Sequence, residues 1–266
     1  MNKYSKEDLE FLVKNYGKIT AITIAKYLNR SHAEIRRKAN ELGLRSTLNN
    51  IGVSRYIHNK EYFKKLSVNN CYWAGFLAAD GSIDSNKNIL TVSLKSTDKK
   101  HLELLKKELG FTGTLKTVIT TLKDKKYEAT KLYICGAQTL IGDLKNNFNI
   151  TQNKSLFLNP PNIENSEMAK AFIVGYIDGD GTVCFGKTKQ KKRYLRLSVL
   201  GTKQFLNWIN EFLNESYAIG TKNINKHKNI YAYQISSLMA RRVLLDLCKI
   251  KVPKLKRKWN KVNSLC

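Results

Sequence analysis

Two stretches of this chain, Trp73 to Gly81 and Ile173 to Gly181, limit its possible folds more than any other feature, because they carry one pattern twice. Each sets small residues four apart: Ala74 with Ala78 and Gly75 with Ala79 in the first, Gly175 with Gly179 in the second. That spacing puts the small residues on one helical face, where two backbones can approach closely. Each stretch is therefore read as the end of a helix, and the two as a packed pair. The apolar runs fall short of the roughly 20 residues that a bilayer span needs, so the pair belongs inside a soluble domain.

Both stretches end Asp-Gly, with Asp80 before Gly81 and Asp180 before Gly181. A carboxylate at a helix C-terminus opposes the helix dipole by about 0.3 to 1 kcal/mol, and both copies accept that cost at the same place. The glycines suit a C-terminal cap. If the small faces pack together, the two carboxylates converge and repel each other unless a cation lies between them. One Asp-Gly would be an ordinary turn. Two, on matching helices and each followed by a strand-like run, predict a metal site built on Asp80 and Asp180.

At these residues the chain resembles the LAGLIDADG homing endonucleases in their single-chain form with two motifs. The aspartate before the last glycine is that family's metal ligand, which the resemblance carries to Asp80 and Asp180. The family's earlier aspartate is matched by Asp178 and replaced by Ala78. The resemblance further implies Mg²⁺, for which Mn²⁺ or Ca²⁺ can substitute in binding, with the carbonyls of Ala79 and Gly179 as additional ligands. Lysines beside the metals are a family habit, for which Lys95, Lys131 and Lys228 are the candidates. The fold implied is α+β, with two pseudo-symmetric αββαββα subdomains whose antiparallel sheets form a saddle over DNA.

The remaining sequence repeats in step with the motifs. After Gly81 the period becomes two: Leu90, Val92 and Leu94 share an apolar face, and Thr91, Ser93 and Lys95 a polar one. A helix at 98–109, a hairpin at 114–135 turning at 123–126 and a helix at 137–148 complete the unit. Residues 172–248 repeat the order, with Leu195, Leu197 and Val199 inward and Tyr194, Arg196 and Ser198 outward. Lys187, Lys189, Lys191 and Arg193 lie at the turn of the hairpin that follows Gly181, placed to follow phosphates. Boundaries are set at 70–158 for the first subdomain and 159–266 for the second, with prolines at 160 and 161 in the connector.

Residues 1–45 read as a separate all-α unit. Ser5 caps a helix with Leu9, Leu12 and Val13 inward; a second helix over 19–28 turns Ile22, Ile24, Ala25 and Leu28 inward; Ser31 caps a third with Ile35, Ala39 and Leu42 inward. Two short helices across the tight turn at Asn29 and Arg30 form a helix-turn-helix pattern. The third helix then presents Ser31, His32, Arg36, Arg37 and Asn40 to a major groove. Residues 46–69 lose periodicity and read as a linker. The stretch 251–261, with Lys254 and Arg257, reads as a basic arm on phosphates.

Composition narrows the partner. The 266 residues carry 47 Lys and Arg against 21 Asp and Glu, a net charge of +26, which calls for a polyanion. Double-stranded DNA with a long target site is the leading candidate; no amphipathic membrane helix or lipidation signal supports a bilayer. The five cysteines, an odd count without Cys-x-x-Cys spacing, read as reduced thiols of an intracellular, nucleoid-associated protein from a phage- or bacteria-like host. The leading function is a site-specific, metal-dependent endonuclease that acts as a monomer with internal twofold symmetry, cutting both strands across the minor groove and leaving short 3′ overhangs. The alternatives are an RNA maturase assisting intron splicing and a DNA-binding transcription regulator that has lost catalysis.

Overall fold

The computed structural model describes residues 4–17, 19, 21–44, 56–122, 125–187 and 189–263, in two units, 1–55 and 56–266. The first unit comprises three helices, α1 (Lys6–Asn15), α2 (Ala21–Tyr27) and α3 (His32–Glu41). The serines expected to cap α1 and α3 do so as capping boxes: Ser5 pairs with Asp8, and Ser31 with Glu34. Asn29, at φ 49°, makes the turn between α2 and α3. Leu12, Ile24, Ala25, Ile35 and Ala39 are buried together. Val13, Ile22 and Leu42, expected inward, are instead exposed; three helices this short meet along a narrow seam that leaves one edge of each apolar stripe in water.

The second unit begins earlier than expected. Residues 56–67 were read as linker, but Phe63 is fully buried in the core, the Asn59 amide donates to Leu109 O at 2.8 Å, and the Tyr62 hydroxyl donates to Glu108 at 3.1 Å. Without helical or strand period, this stretch offers no pattern to read. Residues 45–55, most of the expected linker, lie outside the described residues, as does part of the turn at 123–126.

From there the repeat unfolds as expected. Helix α4 (Val68–Asp80) leads into β1 (Gly81–Asp84), β2 (Ile89–Lys95), α5 (Lys99–Glu108), β3 (Lys116–Leu122), β4 (Lys125–Cys135) and α6 (Gln138–Phe148). A short α7 (Lys154–Phe157) precedes α8 (Ser166–Asp180), and the second copy runs β5 (Gly181–Lys187), β6 (Arg193–Gly201), α9 (Lys203–Tyr217), β7 (Asn225–His227), β8 (Ile230–Ser236) and α10 (Ser237–Lys249). Each copy makes a four-stranded antiparallel sheet, ordered β1-β2-β4-β3 and β5-β6-β8-β7. Leu90, Val92 and Leu94, and Leu195, Leu197 and Val199, are buried, while Ser93 and Lys95 are exposed. One face of each sheet is thus left polar.

The stretch 251–261, expected as an arm, is mostly helix. α11 (Lys256–Asn263) buries Trp259 and Val262, and Leu255 before it, in the main core. Those apolar residues recur at positions i, i+4 and i+7, a helical stripe interleaved with so many lysines that the charge masks it.

Candidate active site

Helices α4 and α8 cross at their small residues. A methyl group at Gly75 would lie 1.9 Å from the carbonyl oxygen of Phe172, and one at Gly175 would lie 1.9 Å from that of Tyr72. At the C-terminal ends the backbones remain close: a methyl at Gly179 would be 2.2 Å from the Ala79 Cβ and 3.3 Å from the Asp80 Cγ. Only glycine permits this approach, and it carries Asp80 and Asp180 to one seam.

The glycines expected to cap α4 and α8 do so. Gly81 (φ −72°) and Gly181 (φ −85°) are extended rather than left-handed, and their amides donate to Leu77 O and Ile177 O. They are glycine for space: a methyl would come within 2.5 Å of Leu77 O at one and 2.6 Å of Ile177 Cα at the other. The chain passes from helix to strand without a left-handed residue, which aims each aspartate outward at the helix end.

Asp80 is half-exposed and Asp180 exposed. Burial, and then the facing Asp180 carboxylate, push the Asp80 pKa up to about 6. Protein around its inner side pushes Asp180 up as well, with solvent on the open side tempering the shift. Two cations sit against this pair. Lys154 Nζ donates to Ala79 O at 2.9 Å. Lys258 Nζ lies 2.7 Å from Ile177 O, 2.7 Å from Asp178 O, 3.0 Å from Gly179 O and 2.7 Å from Gly181 O. Both lysines are buried, and burial lowers both pKa values, that of Lys258 to about 8.

The attraction is physical. The last carbonyls of a helix lack intrahelical donors and form the negative end of its dipole, so an ammonium there answers both. Each motif helix is therefore capped by a lysine from beyond the last helix of its own repeat. Neither was anticipated as a site residue. Lys154 looked like one more charge after the first repeat, and Lys258 was read only as part of the basic arm at 251–261.

Of the lysines proposed from the resemblance, Lys95 and Lys131 lie on the polar side of the first sheet, Lys131 opposite Ser93 and with Nζ 5.7 Å from the Tyr133 ring centre. Lys228 occupies the tight turn between β7 and β8 at φ 55°. The strand registers, Gly81 to Val92 to Leu132 and Gly181 to Val199 to Tyr233, make Ala232 the counterpart of Lys131. Lys228 is thus no symmetry mate of either.

The donor set fits a hard divalent cation: two carboxylates that repel each other, and the Ala79 and Gly179 carbonyls, each with a second lone pair beyond its lysine. Lys154 and Asp180 line one open cleft with Ala78, Tyr176 and Thr202, so the halves share the site's floor. Tyr176 holds that floor in place by donating to Leu200 O at 2.9 Å.

The expected DNA contacts fall into three groups. On the sheets, Thr91, Ser93, Lys95, Tyr194, Arg196 and Ser198 share the polar faces, and Lys187, Lys189, Lys191 and Arg193 are exposed at the β5–β6 turn, with Arg193 stacked 4.4 Å over Phe185. On α3, His32, Arg36, Arg37 and Asn40 are exposed, as is Ser31, whose hydroxyl is committed to Glu34. In the third group Lys254 donates to Ile250 O, and Arg257, exposed at the start of α11, pairs with Asp98 at 2.9 Å. The Arg257 pair ties α11 to the start of α5.

Comparison with known proteins agrees with this architecture. The LAGLIDADG-like domain family matches residues 67–141, a range that includes Asp80. The homing endonuclease I-WcaI bound to its DNA recognition sequence shares 14% identity over 75% of this chain and 91% of its own, with a TM-score of 0.51. Meganuclease I-SmaMI bound to uncleaveable DNA with a TTGT central four shares 14% identity over 76% of this chain and 88% of its own, with a TM-score of 0.50. A comparison with curated proteins found no match. The chain therefore carries a LAGLIDADG-like domain at residues 67–141 and has, over about three quarters of its length, the fold of the LAGLIDADG meganucleases.

Proposed function

We propose that this chain is a LAGLIDADG-type DNA endonuclease, a monomer that cuts both strands of a long target site across the minor groove in a Mg²⁺-dependent reaction and leaves short 3′ overhangs. The observation that carries the reading is the meeting of Asp80 and Asp180 at one seam, each with a buried lysine against the carbonyls beside it. A DNA-packing protein needs positive charge; it has no use for two carboxylates held where they repel each other and the phosphates.

Asp80 and Asp180, with the carbonyls of Ala79 and Gly179, would hold the divalent ions. Ions bound there would supply charge neutralisation at the scissile phosphates and a more acidic water. Lys154, which gives one N–H to Ala79 O, has donors left for a phosphate oxygen as charge builds in the transition state, while Lys258, whose N–H groups are taken by the carbonyls around the end of α8, contributes its positive charge there. The polar faces carrying Thr91, Ser93, Arg196 and Ser198 read base edges, the β5–β6 turn lysines follow phosphates, and the exposed side of α3 adds a separate major-groove contact.

The decisive experiment is Asp80→Asn and Asp180→Asn on a plasmid library of randomised sites with Mg²⁺. Each variant should lose double-strand cutting by a factor of at least about 1,000, the scale of a lost charge-stabilising group, while electrophoretic mobility shifts show DNA binding retained. Cutting at the wild-type rate by either variant sinks the assignment.

A further inference from the structure

At one buried position of the motif helices the two repeats differ in charge. Where α4 has Ala78, α8 has Asp178, which is 0% exposed. Its Oδ1 accepts from Trp259 Nε1 at 2.7 Å, and its Oδ2 accepts from the Leu255 amide at 3.0 Å and the Tyr72 hydroxyl at 2.8 Å. Tyr72 lies on α4 and in turn meets His101 Nε2 at 2.9 Å. Burial lowers the His101 pKa to about 4, so the ring is neutral and donates through Nε2–H to the tyrosine oxygen. Two of the three donors on Asp178 therefore come from the C-terminal segment, and they flank Lys258.

A buried carboxylate is costly unless its acceptors are filled. Asp178 is filled only when the segment around 255–259 is docked, and docking carries the Lys258 ammonium onto the four carbonyls around the end of α8. The first repeat places its lysine without such a device, since Ala78 offers no acceptor and Lys154 reaches Ala79 from the short segment after α6. The two half-sites are thus assembled differently.

We propose that Asp178 is a positioning residue for one half-site: it latches the 255–259 segment through Trp259 and Leu255 and so sets Lys258 beside Asp180. The proposal rests on the endonuclease reading only for its catalytic consequence; the latch itself is a statement about this chain alone.

Two measurements test it on the full-length protein. The first, without metal or DNA, is the rate of reductive methylation at Lys258, read by peptide mass spectrometry. Asp178→Asn keeps the side-chain shape, but whichever way the amide turns, one C-terminal donor faces an NH₂ group; Trp259→Phe keeps a ring and deletes one donor. Each variant should raise Lys258 labelling about tenfold or more with Lys154 labelling unchanged. Labelling of Lys258 at the wild-type rate in either variant overturns the latch.

The second is cutting resolved by strand, with the strand of interest defined as the one that Lys258→Met slows. A displaced catalytic group costs on the order of 100-fold, so Asp178→Asn and Trp259→Phe should slow that strand by about that factor and accumulate nicked DNA. Equal slowing of both strands shows a general loss of structure and overturns the positioning role. Absence of any cutting by the wild-type protein would remove the endonuclease reading, while the labelling result would still decide the latch.

Discussion

At the scale of single residues, the site is a balance between two acids and two buried bases. Asp80 shows it best, because burial and the Asp180 carboxylate together push its pKa up to about 6, against roughly 3.9 in an unfolded chain. The folded state then holds a proton on Asp80 that the unfolded state has released, so stability falls as pH rises from about 4 to 6 and stays lower above that window. Asp80→Asn removes the penalty. With solvent on one side discounting the effect, metal-free protein at pH 7.5 should gain about 1 kcal/mol in urea unfolding, and the gain should vanish at pH 4. Added Mg²⁺ should reverse the order at pH 7.5 by stabilising the wild type alone. A variant less stable than wild type at pH 7.5 in chelator would show that the carboxylate is not under strain. Asp80 and Asp180 were legible in the sequence because a repeated dipeptide at matched spacing is a local signal. Lys154 and Lys258 were not, because nothing local distinguishes a lysine that caps a helix from the many that face water.

At the scale of elements, the α4–α8 crossing does what the spacing of small residues suggested, and backbone contact makes it intolerant. Gly75→Ala drives a methyl into the Phe172 carbonyl, where no side chain can turn aside. It should destabilise the second unit by about 3 kcal/mol or more, the upper range for overpacking, and Gly175→Ala should do likewise through Tyr72. Gly142, inside α6, has nothing within 4 Å of the added methyl and no left-handed φ, so Gly142→Ala should instead stabilise by about 0.5 to 1 kcal/mol. Thermal unfolding of the three variants checks the contrast. A mild effect of Gly75→Ala would mean the helices can part without loss, and the carboxylates with them. Alternation in β2 and β6 told the buried face from the polar one because the strand period is two and one face must pack. The glycines at 81 and 181 were legible as caps, but sequence shows a glycine and not why it is needed: here it is space against the preceding turn.

At the scale of the whole molecule, order could be read but extent could not. The repeat of helix, hairpin, helix, hairpin and helix was visible because its hydrophobic periods switch in the same order twice, whereas residues 56–67 hid their role because irregular chain buries isolated side chains such as Phe63 without any period. The proposed division of labour between the units can be measured by salt. Each phosphate neutralised contributes a slope of roughly −0.9 to log affinity against log salt. The second unit has its own core, so a chain beginning at residue 56 should fold and, at saturating protein, still cut DNA in Mg²⁺. It lacks Arg36 and Arg37, and its salt slope should be shallower than that of the full chain by about 2, one increment for each arginine leaving a phosphate. Identical slopes for the two chains would take α3 off the DNA. Loss of cutting at saturation would place part of the chemistry in the first unit, where no carboxylate pair comparable to Asp80 and Asp180 has been found among the described residues.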